Sequence, residues 1–131
     1  MGRPHLAVMT VDANVVIAYL AGEQPVIKAL TELKQAGVPL LLSTIAETEI
    51  LSFPQWTDKE RHTTEQFLEE NFTSVPFDRT VARIAAGIRR ATRIKTPDAA
   101  IAATALFTHT LLLTRNVRDF RKVAGLETRQ V

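Results

Sequence analysis

The segment LAVMTV, residues 6–11, is followed directly by Asp12 and decides the fold. Its side chains are almost all apolar, and a short continuous apolar run of this kind is typical of a buried strand. Residues 13–20 then have the pattern of a helix that closes at Gly22. The chain is therefore predicted to begin with a buried strand that ends at an acidic residue and leads at once into a helix.

The rest of the chain continues this alternation of strands and helices, which favours an α/β fold with a central parallel sheet of four to five strands flanked by helices. Buried strands are predicted at residues 40–42 and 111–113, a weaker strand at 73–77 and an edge strand at 127–131. Helices are predicted from Pro25 to Gly37, from a cap at Ser43 or Thr44 to Leu51, from a cap at Thr57 or Asp58 to about Glu70, from Asp78 onward, at 99–107 after the start Thr96-Pro97-Asp98, and at 116–122.

Length and composition limit the classes of protein to consider. A chain of 131 residues, with 46% apolar and 23% charged residues, matches one ordinary globular domain over residues 1–131. The absence of cysteine excludes disulfides and thiolate metal sites. The longest apolar run is too short to cross a bilayer, and residues 1–10 lack the apolar core of a signal peptide. We therefore expect a cytoplasmic protein without membrane segments.

Four acidic residues stand where a predicted strand ends or a helix begins: Asp12, Glu49, Asp98 and Asp119. Each has an ordinary structural interpretation. Asp12 is placed to cap a helix, Asp98 to interact with a helix dipole, and Asp119 to form a reciprocal cap with Asn116, while Glu49 suits a solvated helix face. Taken singly, these interpretations are the more frequent ones.

Taken together, the four acids indicate a metal site. Ligands of open α/β sheets bind outside the carboxyl ends of the parallel strands, and all four acids are predicted near that edge. Clustered carboxylates repel one another unless a cation lies among them. Oxygen ligands without histidine or cysteine favour Mg²⁺ or Mn²⁺ over zinc. Such a site suits metal-assisted attack of water on a phosphodiester.

Four short motifs carry a resemblance to a known family. They are VDANVVI at residues 11–17, STIAETEIL at 43–51, TPDAAIAA at 96–103 and LTRNVRDF at 113–120. In this order and at this spacing they resemble the motifs of PIN-domain ribonucleases, especially the VapC-type toxins of toxin–antitoxin pairs. Each motif alone is weak, but the four together cover almost the whole chain and form a specific signal.

The resemblance implies a Mg²⁺- or Mn²⁺-dependent endoribonuclease that forms a homodimer and binds a cognate antitoxin. By match to the motifs, Asp12 and Asp98 would be the principal metal ligands. Glu49 and Asp119 would complete the pocket, directly or through water. The second motif favours Glu49 over Glu47, because its acid precedes an aliphatic pair.

The fourth motif departs from some relatives, which carry an acid where this chain has Asn116. Asparagine cannot supply the same charge, so a second metal would bind weakly. Thr114 and Asn116 are instead candidates for orienting the attacking water or a phosphate oxygen. Ser43 has the same candidate role, with a helix cap as the alternative.

Arginines form the remaining candidates for binding. Arg79, Arg83 and Arg90 fall on one helical stripe, and Arg115 lies beside the proposed site. They suit RNA phosphates or an antitoxin carboxylate, although a solvated helix face is the ordinary explanation. No aromatic residues interleave with them to predict base stacking. Three alternatives stay open: a PIN-like RNA-processing nuclease that is not a toxin, a catalytically silent PIN fold with a binding role, and, least favoured because Asp12 stands alone, a phosphoacceptor receiver domain.

Overall fold

The computed structural model describes residues 8–131, so His5 and the first two residues of the predicted strand at 6–11 lie outside the described part. The strands are β1 (Met9–Val11), β2 (Leu40–Ser43), β3 (Thr73–Val75), β4 (Leu111–Thr114) and β5 (Thr128–Gln130). The helices are α1 (Ala13–Leu20), α2 (Gln24–Gln35), α3 (Thr44–Leu51), α4 (Asp58–Asn71), α5 (Arg79–Thr92), α6 (Thr96–Thr108) and α7 (Val117–Phe120).

The five strands form one parallel sheet in the order β3-β2-β1-β4-β5. β1 lies in the centre, where Met9 pairs with Leu40 of β2 and with Leu111 of β4. The α/β fold with a central parallel sheet is thus confirmed. Because every strand runs the same way, the carboxyl ends of all of them meet at one edge of the sheet, which we call the carboxyl edge.

Helix α6 packs directly against β1, β2 and β4. Its alanines at positions 99, 102, 103 and 105 are fully buried, and such small side chains let a helix axis approach a sheet closely. Ile101 is also fully buried, which contributes about 1.5–3 kcal/mol to stability. Helix α5 then covers α6 with Val81, Ala85 and Ile88. This packing fixes the beginning of α6, and with it Asp98, relative to the sheet.

Several predicted helix starts are confirmed by their caps. The Ser43 hydroxyl caps α3, Asp78 caps α5, and Thr57 forms a capping box with Glu60 at the start of α4. The predicted capping hydroxyl of Thr96 is wrong. The cap position of α6 is Lys95, whose extended backbone suffices without a side-chain bond, and Thr96 is already helical.

Three other predicted elements are shorter than expected. Strand β3 ends at Val75 rather than at residue 77, because Pro76 has no N–H to donate to the ladder. Helix α7 occupies only Val117–Phe120 of the predicted 116–122, and β5 only Thr128–Gln130 of the predicted 127–131. Over residues 8–131 no helix is both long and apolar enough to cross a membrane.

Two residues other than glycine have a left-handed backbone, Arg93 at φ 62° and His109 at φ 56°. They end α5 and α6, a position at which glycine is common because it has no Cβ. For other residues this conformation costs roughly 1–2 kcal/mol. The backbone N–H of Arg93 still donates to the carbonyl of Arg89 and so closes α5.

Candidate active site

Asp12 lies at the carboxyl end of the central strand and is only 4% exposed. Its backbone N–H donates to the carbonyl of Leu113 at 2.9 Å, which extends the pairing of β1 with β4. The Thr114 hydroxyl donates to Asp12 Oδ2 at 2.8 Å. The carboxylate makes no side-chain capping bond to α1, so the structural role predicted for Asp12 alone is not what it does.

Thr114 is fully buried, and its hydroxyl is used twice. It donates to Asp12 and accepts the backbone N–H of Asn116 at 3.0 Å. The hydroxyl thereby connects the Asp12 carboxylate to the loop that begins α7.

Asp98 lies half-buried in the first turn of α6. Its pKa is raised by burial and by the charge of Asp119, and is lowered by the nearby Lys95. The pKa of Asp12 is likewise raised, mainly by burial and further by the charge of Asp98, against the hydrogen bond from Thr114 that lowers it. The charge of Asp98 therefore disfavours the charged form of Asp12.

Glu49 belongs to the same group although it comes from α3, a helix that contacts α1 and α6. Burial raises its pKa, and so do the charges of Asp12 and Asp98. Asp119 completes the group from α7. There the Asn116 amide donates to Asp119 Oδ2 at 2.5 Å and makes no capping bond to the helix backbone.

The structure thus brings all four predicted acids into one electrostatically coupled group at the carboxyl edge. It does not bring three of them into direct contact around one point: within residues 8–131, no three histidine or acidic side chains are arranged to hold an ion together. The donor set nevertheless fits Mg²⁺ or Mn²⁺, because these ions keep several waters and bind proteins through one or two carboxylates.

The remaining predicted site residues lie around this group in different ways. The buried Ser43 hydroxyl accepts the backbone N–H of Ile45 at 3.1 Å, which is the helix-cap alternative. The Arg115 guanidinium pairs with Glu23 at 2.9 Å. Arg79, Arg83 and Arg90 are exposed along α5. His62 and His109 are exposed and outside the acidic group, as expected.

Sequence reasoning missed an apolar surface beside Glu49. Exposed side chains of α1 and of the loop between α3 and α4 line a groove of about 440 Å³ together with Glu49 and Trp56. The exposed fractions are 47% for Ile17, 36% for Leu20 and 52% for Phe53. We call it the apolar groove. Phe53 and Trp56 are close to each other in sequence, but only the fold shows that α1 completes the surface.

The sequence and the fold of this chain are similar to those of known proteins. The family model described as PIN domain matches residues 9–126. No protein with a curated function matches the sequence significantly. Among solved structures, FitAcB from Neisseria gonorrhoeae is 26% identical, with a TM-score of 0.75 over 92% of this chain and 96% of that chain. VapBC-1 from nontypeable Haemophilus influenzae is 20% identical, with a TM-score of 0.80 over 94% and 97%. VapBC2 from Rickettsia felis, bound to a promoter DNA fragment, is 16% identical, with a TM-score of 0.81 over 95% and 98%.

Proposed function

Because the chain belongs to the PIN domain family, we propose that it is a Mg²⁺- or Mn²⁺-dependent endoribonuclease and the toxin of a toxin–antitoxin pair. The observation that carries the proposal is the electrostatic coupling of Asp12, Glu49 and Asp98. Burial raises the pKa of each of these acids. The charge of Asp98 raises the pKa of Asp12 further, the charges of Asp12 and Asp98 raise that of Glu49, and the charge of Asp119 raises that of Asp98. Like charges that lie together and are partly shielded from water destabilise a fold, so their presence at one edge of the sheet supports a functional role.

In this proposal Asp12 and Asp98 hold the metal, and Glu49 and Asp119 orient its waters. Bound there, the ion would neutralise charge on the scissile phosphate and the leaving oxygen. Among the three acids whose pKa is raised, Glu49 is the most exposed. Both its exposure and its raised pKa suit a group that accepts a proton from the attacking water. Thr114 keeps Asp12 in a fixed orientation.

The direct test is a cleavage assay with defined single-stranded and transfer RNAs, in Mg²⁺, in Mn²⁺ and in EDTA. We expect endonucleolytic products with either metal and none in EDTA. Restoring Mg²⁺ to the chelated protein should restore cleavage. Metal-independent cleavage, or none of any RNA by a folded protein that binds Mg²⁺, would contradict the proposal.

Thr114→Val is expected to raise the Mg²⁺ concentration for half-maximal cleavage by about 10–100-fold, the usual effect of losing a residue that orients a metal ligand. Valine has nearly the same shape but leaves Asp12 without its donor and the Asn116 N–H without its acceptor. Metal titrations of cleavage measure the shift. Thr114→Ser keeps the hydroxyl and is the matched control, and an unchanged Mg²⁺ requirement in Thr114→Val would remove the positioning role.

The toxin part of the proposal rests on the partner that the similar structures contain. One similar structure is described as a toxin–antitoxin complex from Klebsiella pneumoniae, and another as a member of the VapBC family of toxin–antitoxin systems. VapBC2 and FitAB are described as bound to DNA fragments. In this chain the apolar groove borders Glu49. An antitoxin segment with apolar side chains and one basic residue fits there, because its charge would face the acids while its apolar groups cover Ile17, Leu20 and Phe53.

Phe53→Asp is therefore expected to weaken antitoxin binding by about thirtyfold or more, the scale of an aromatic hot spot. The antitoxin to use is the product of the neighbouring gene. Co-expression should relieve growth arrest caused by the wild type but not by Phe53→Asp. Phe107→Asp is the matched control, since Phe107 is also exposed (44%) but lies near the end of α6 remote from Asp98. If the antitoxin relieves the growth arrest caused by both variants equally, it binds the toxin outside the apolar groove.

The same assays separate the alternatives. An RNA-processing nuclease that is not a toxin would cleave RNA without arresting growth, and a catalytically silent binding protein would do neither. We also propose a homodimer, which light scattering should show as twice the monomer mass of 14.5 kDa.

A further inference from the structure

Helix α5 carries a concentration of positive charge that the acidic site does not explain. Five arginines lie along it and at its end, at positions 79, 83, 89, 90 and 93, and all are exposed. None of the ion pairs found within residues 8–131 involves them. Their charge is therefore not neutralised by the described part of the chain.

Three of these arginines line an open groove of about 570 Å³ between α5 and the start of α6. We call it the arginine groove. Arg89, Arg90 and Arg93 supply its charge, and Ala82 and Ala86 leave room beside them. The size is within the range of about 300–1,000 Å³ that is typical of ligand clefts.

One aromatic residue, Phe77, lies in the arginine groove and precedes the first residue of α5 by two positions. It follows β3, and its backbone N–H donates to the Thr44 hydroxyl at 3.0 Å, which fixes it at the carboxyl edge. It is partly exposed. The groove thus combines guanidinium groups with an aromatic ring, the two components that bind single-stranded nucleic acid by phosphate contact and base stacking.

The arginine groove borders the helical turn that carries Asp98. Thr96, the first residue of α6, lines the groove, and Asp98 belongs to the same first turn. Side chains two residues apart on a helix do not share a face, so a strand with its scissile phosphate at Asp98 would cross this turn before its neighbouring nucleotides entered the groove.

The conformations of two arginines are unfavourable for the fold alone. Arg93 has the left-handed backbone in which glycine would be unstrained. Arg79 is the first residue of α5, where the positive end of the helix dipole disfavours a cation. Arg89, by contrast, is ordered by a bond from its Nε to the carbonyl of Ile94 at 3.0 Å, which leaves its terminal nitrogens for a ligand. Backbone strain retained at a charged residue indicates a functional constraint.

We propose that the arginine groove binds the single-stranded RNA that flanks the cleavage site, with Arg89, Arg90 and Arg93 on phosphates and Phe77 stacked on a base. This inference rests on the proposed ribonuclease function and specifies its substrate as unpaired RNA. An acidic protein segment is the competing occupant. The stacking ring favours RNA, because a carboxylate-rich peptide gains nothing from it.

The test measures binding rather than cleavage. A fluorescent oligouridylate is titrated in EDTA at several salt concentrations, and the slope of log affinity against log salt counts phosphate contacts. Arg93→Gly should reduce the magnitude of that slope by about 0.7, and Arg90→Gln combined with Arg93→Gly by about 1.4. Because glycine relieves the left-handed strain, Arg93→Gly should melt at or above the wild-type temperature.

Lys28→Gln is the matched control, since it removes one exposed positive charge from α2. It should leave the slope unchanged. Phe77→Leu should weaken binding about fivefold or more without changing the slope, because stacking is not ionic. Together these variants separate charge, stacking and net-charge effects.

The outcomes are distinct from those of the proposed function. If the wild-type protein cleaves RNA and both arginine variants keep the wild-type slope, the groove does not bind RNA. The proposed ribonuclease function would then still stand. If both variants reduce the slope but the wild-type protein cleaves no RNA, RNA binding by the groove is supported and the proposed ribonuclease function is contradicted. An oligoglutamate peptide that binds as tightly as the RNA, with the same loss in Arg93→Gly, would overturn the RNA assignment in favour of a protein partner.

Discussion

Asp12→Asn and Asp98→Asn are each expected to lower Mg²⁺-dependent RNA cleavage by about a hundredfold or more, on the scale of losing one preorganised electrostatic contact. Asparagine keeps the size of the side chain and can still accept a hydrogen bond from Thr114 at position 12. What it removes is the negative charge that would hold the ion. The loss should therefore appear in cleavage and in Mg²⁺ affinity together.

The same substitutions should raise the melting temperature of the protein in EDTA. Burial and neighbouring charge raise the pKa values of both carboxyls, so their charged forms destabilise the folded state near neutral pH. A neutral amide removes that penalty. The combination of higher stability and lost activity is characteristic of a functional site, whereas a merely structural carboxylate would show lower stability when replaced.

A matched pair on α3 tests whether the effect is specific to the coupled acids. Glu49→Gln should lose activity, because Glu49 is coupled to Asp12 and Asp98. Glu47→Gln removes the same charge two residues earlier and should cleave RNA at the wild-type rate. Cleavage assays and thermal melts of all four variants measure both effects. Wild-type cleavage by Asp12→Asn and Asp98→Asn would contradict the proposed mechanism outright.

The fold was predictable from the sequence because its strands are short apolar runs and its helices have strong end signals. The apolar run that ends at Asp12 is the central strand, and Thr57, Ser43 and Asp78 cap the helices that follow them. Where prediction failed, backbone chemistry prevailed over side-chain pattern. Pro76 ended β3 early, and Lys95 replaced Thr96 as the cap of α6 because an extended backbone was sufficient.

The acidic group was predictable for a different reason. Parallel strands place their carboxyl ends together, so acids that follow strands must approach one another even when they are far apart in sequence. The bond from Thr114 to Asp12 spans 102 residues and could not be read from either motif alone. The same limit applied to the arginine groove, in which Phe77 and Thr96 lie beside the arginines of α5 only because α5 packs against α6. Motifs predict which residues meet, but not which hydrogen bonds they form on meeting.

The stability of the metal-free protein is expected to fall as the pH rises above the ordinary pKa values of its coupled carboxyls. The pKa values of Asp12, Glu49 and Asp98 are raised above their ordinary values of 3.8, 4.5 and 3.8. Below those ordinary values the three groups are protonated in both states. As the pH rises through the raised values, the folded protein must ionise buried groups that the unfolded chain has already ionised, so the free energy of unfolding decreases.

The pH range of the measurement matters because other carboxyls act in the opposite direction. Glu60 accepts hydrogen bonds from Thr57 that lower its pKa. Its contribution is lost as the pH falls, so melts below about pH 4 would mix the two effects. Above the ordinary pKa values of carboxyls, the coupled acids should dominate the slope. Asp12→Asn should flatten it in EDTA, whereas Glu47→Gln should not.

Mg²⁺ is expected to reverse this loss. An ion that binds the folded state alone adds about 2.7 kcal/mol at a hundred times its Kd, which for a chain of this size raises the melting temperature by roughly 10 °C. The rise should be larger at pH 8 than at pH 5, because ionised carboxylates bind the ion and protonated ones do not. Thermal melts in EDTA and in Mg²⁺ at both pH values measure it. A melting temperature that responds equally to Mg²⁺ in the wild type and in Asp12→Asn combined with Asp98→Asn would mean that the ion binds elsewhere, and the coupled acids would then lack the cation on which the proposed chemistry depends.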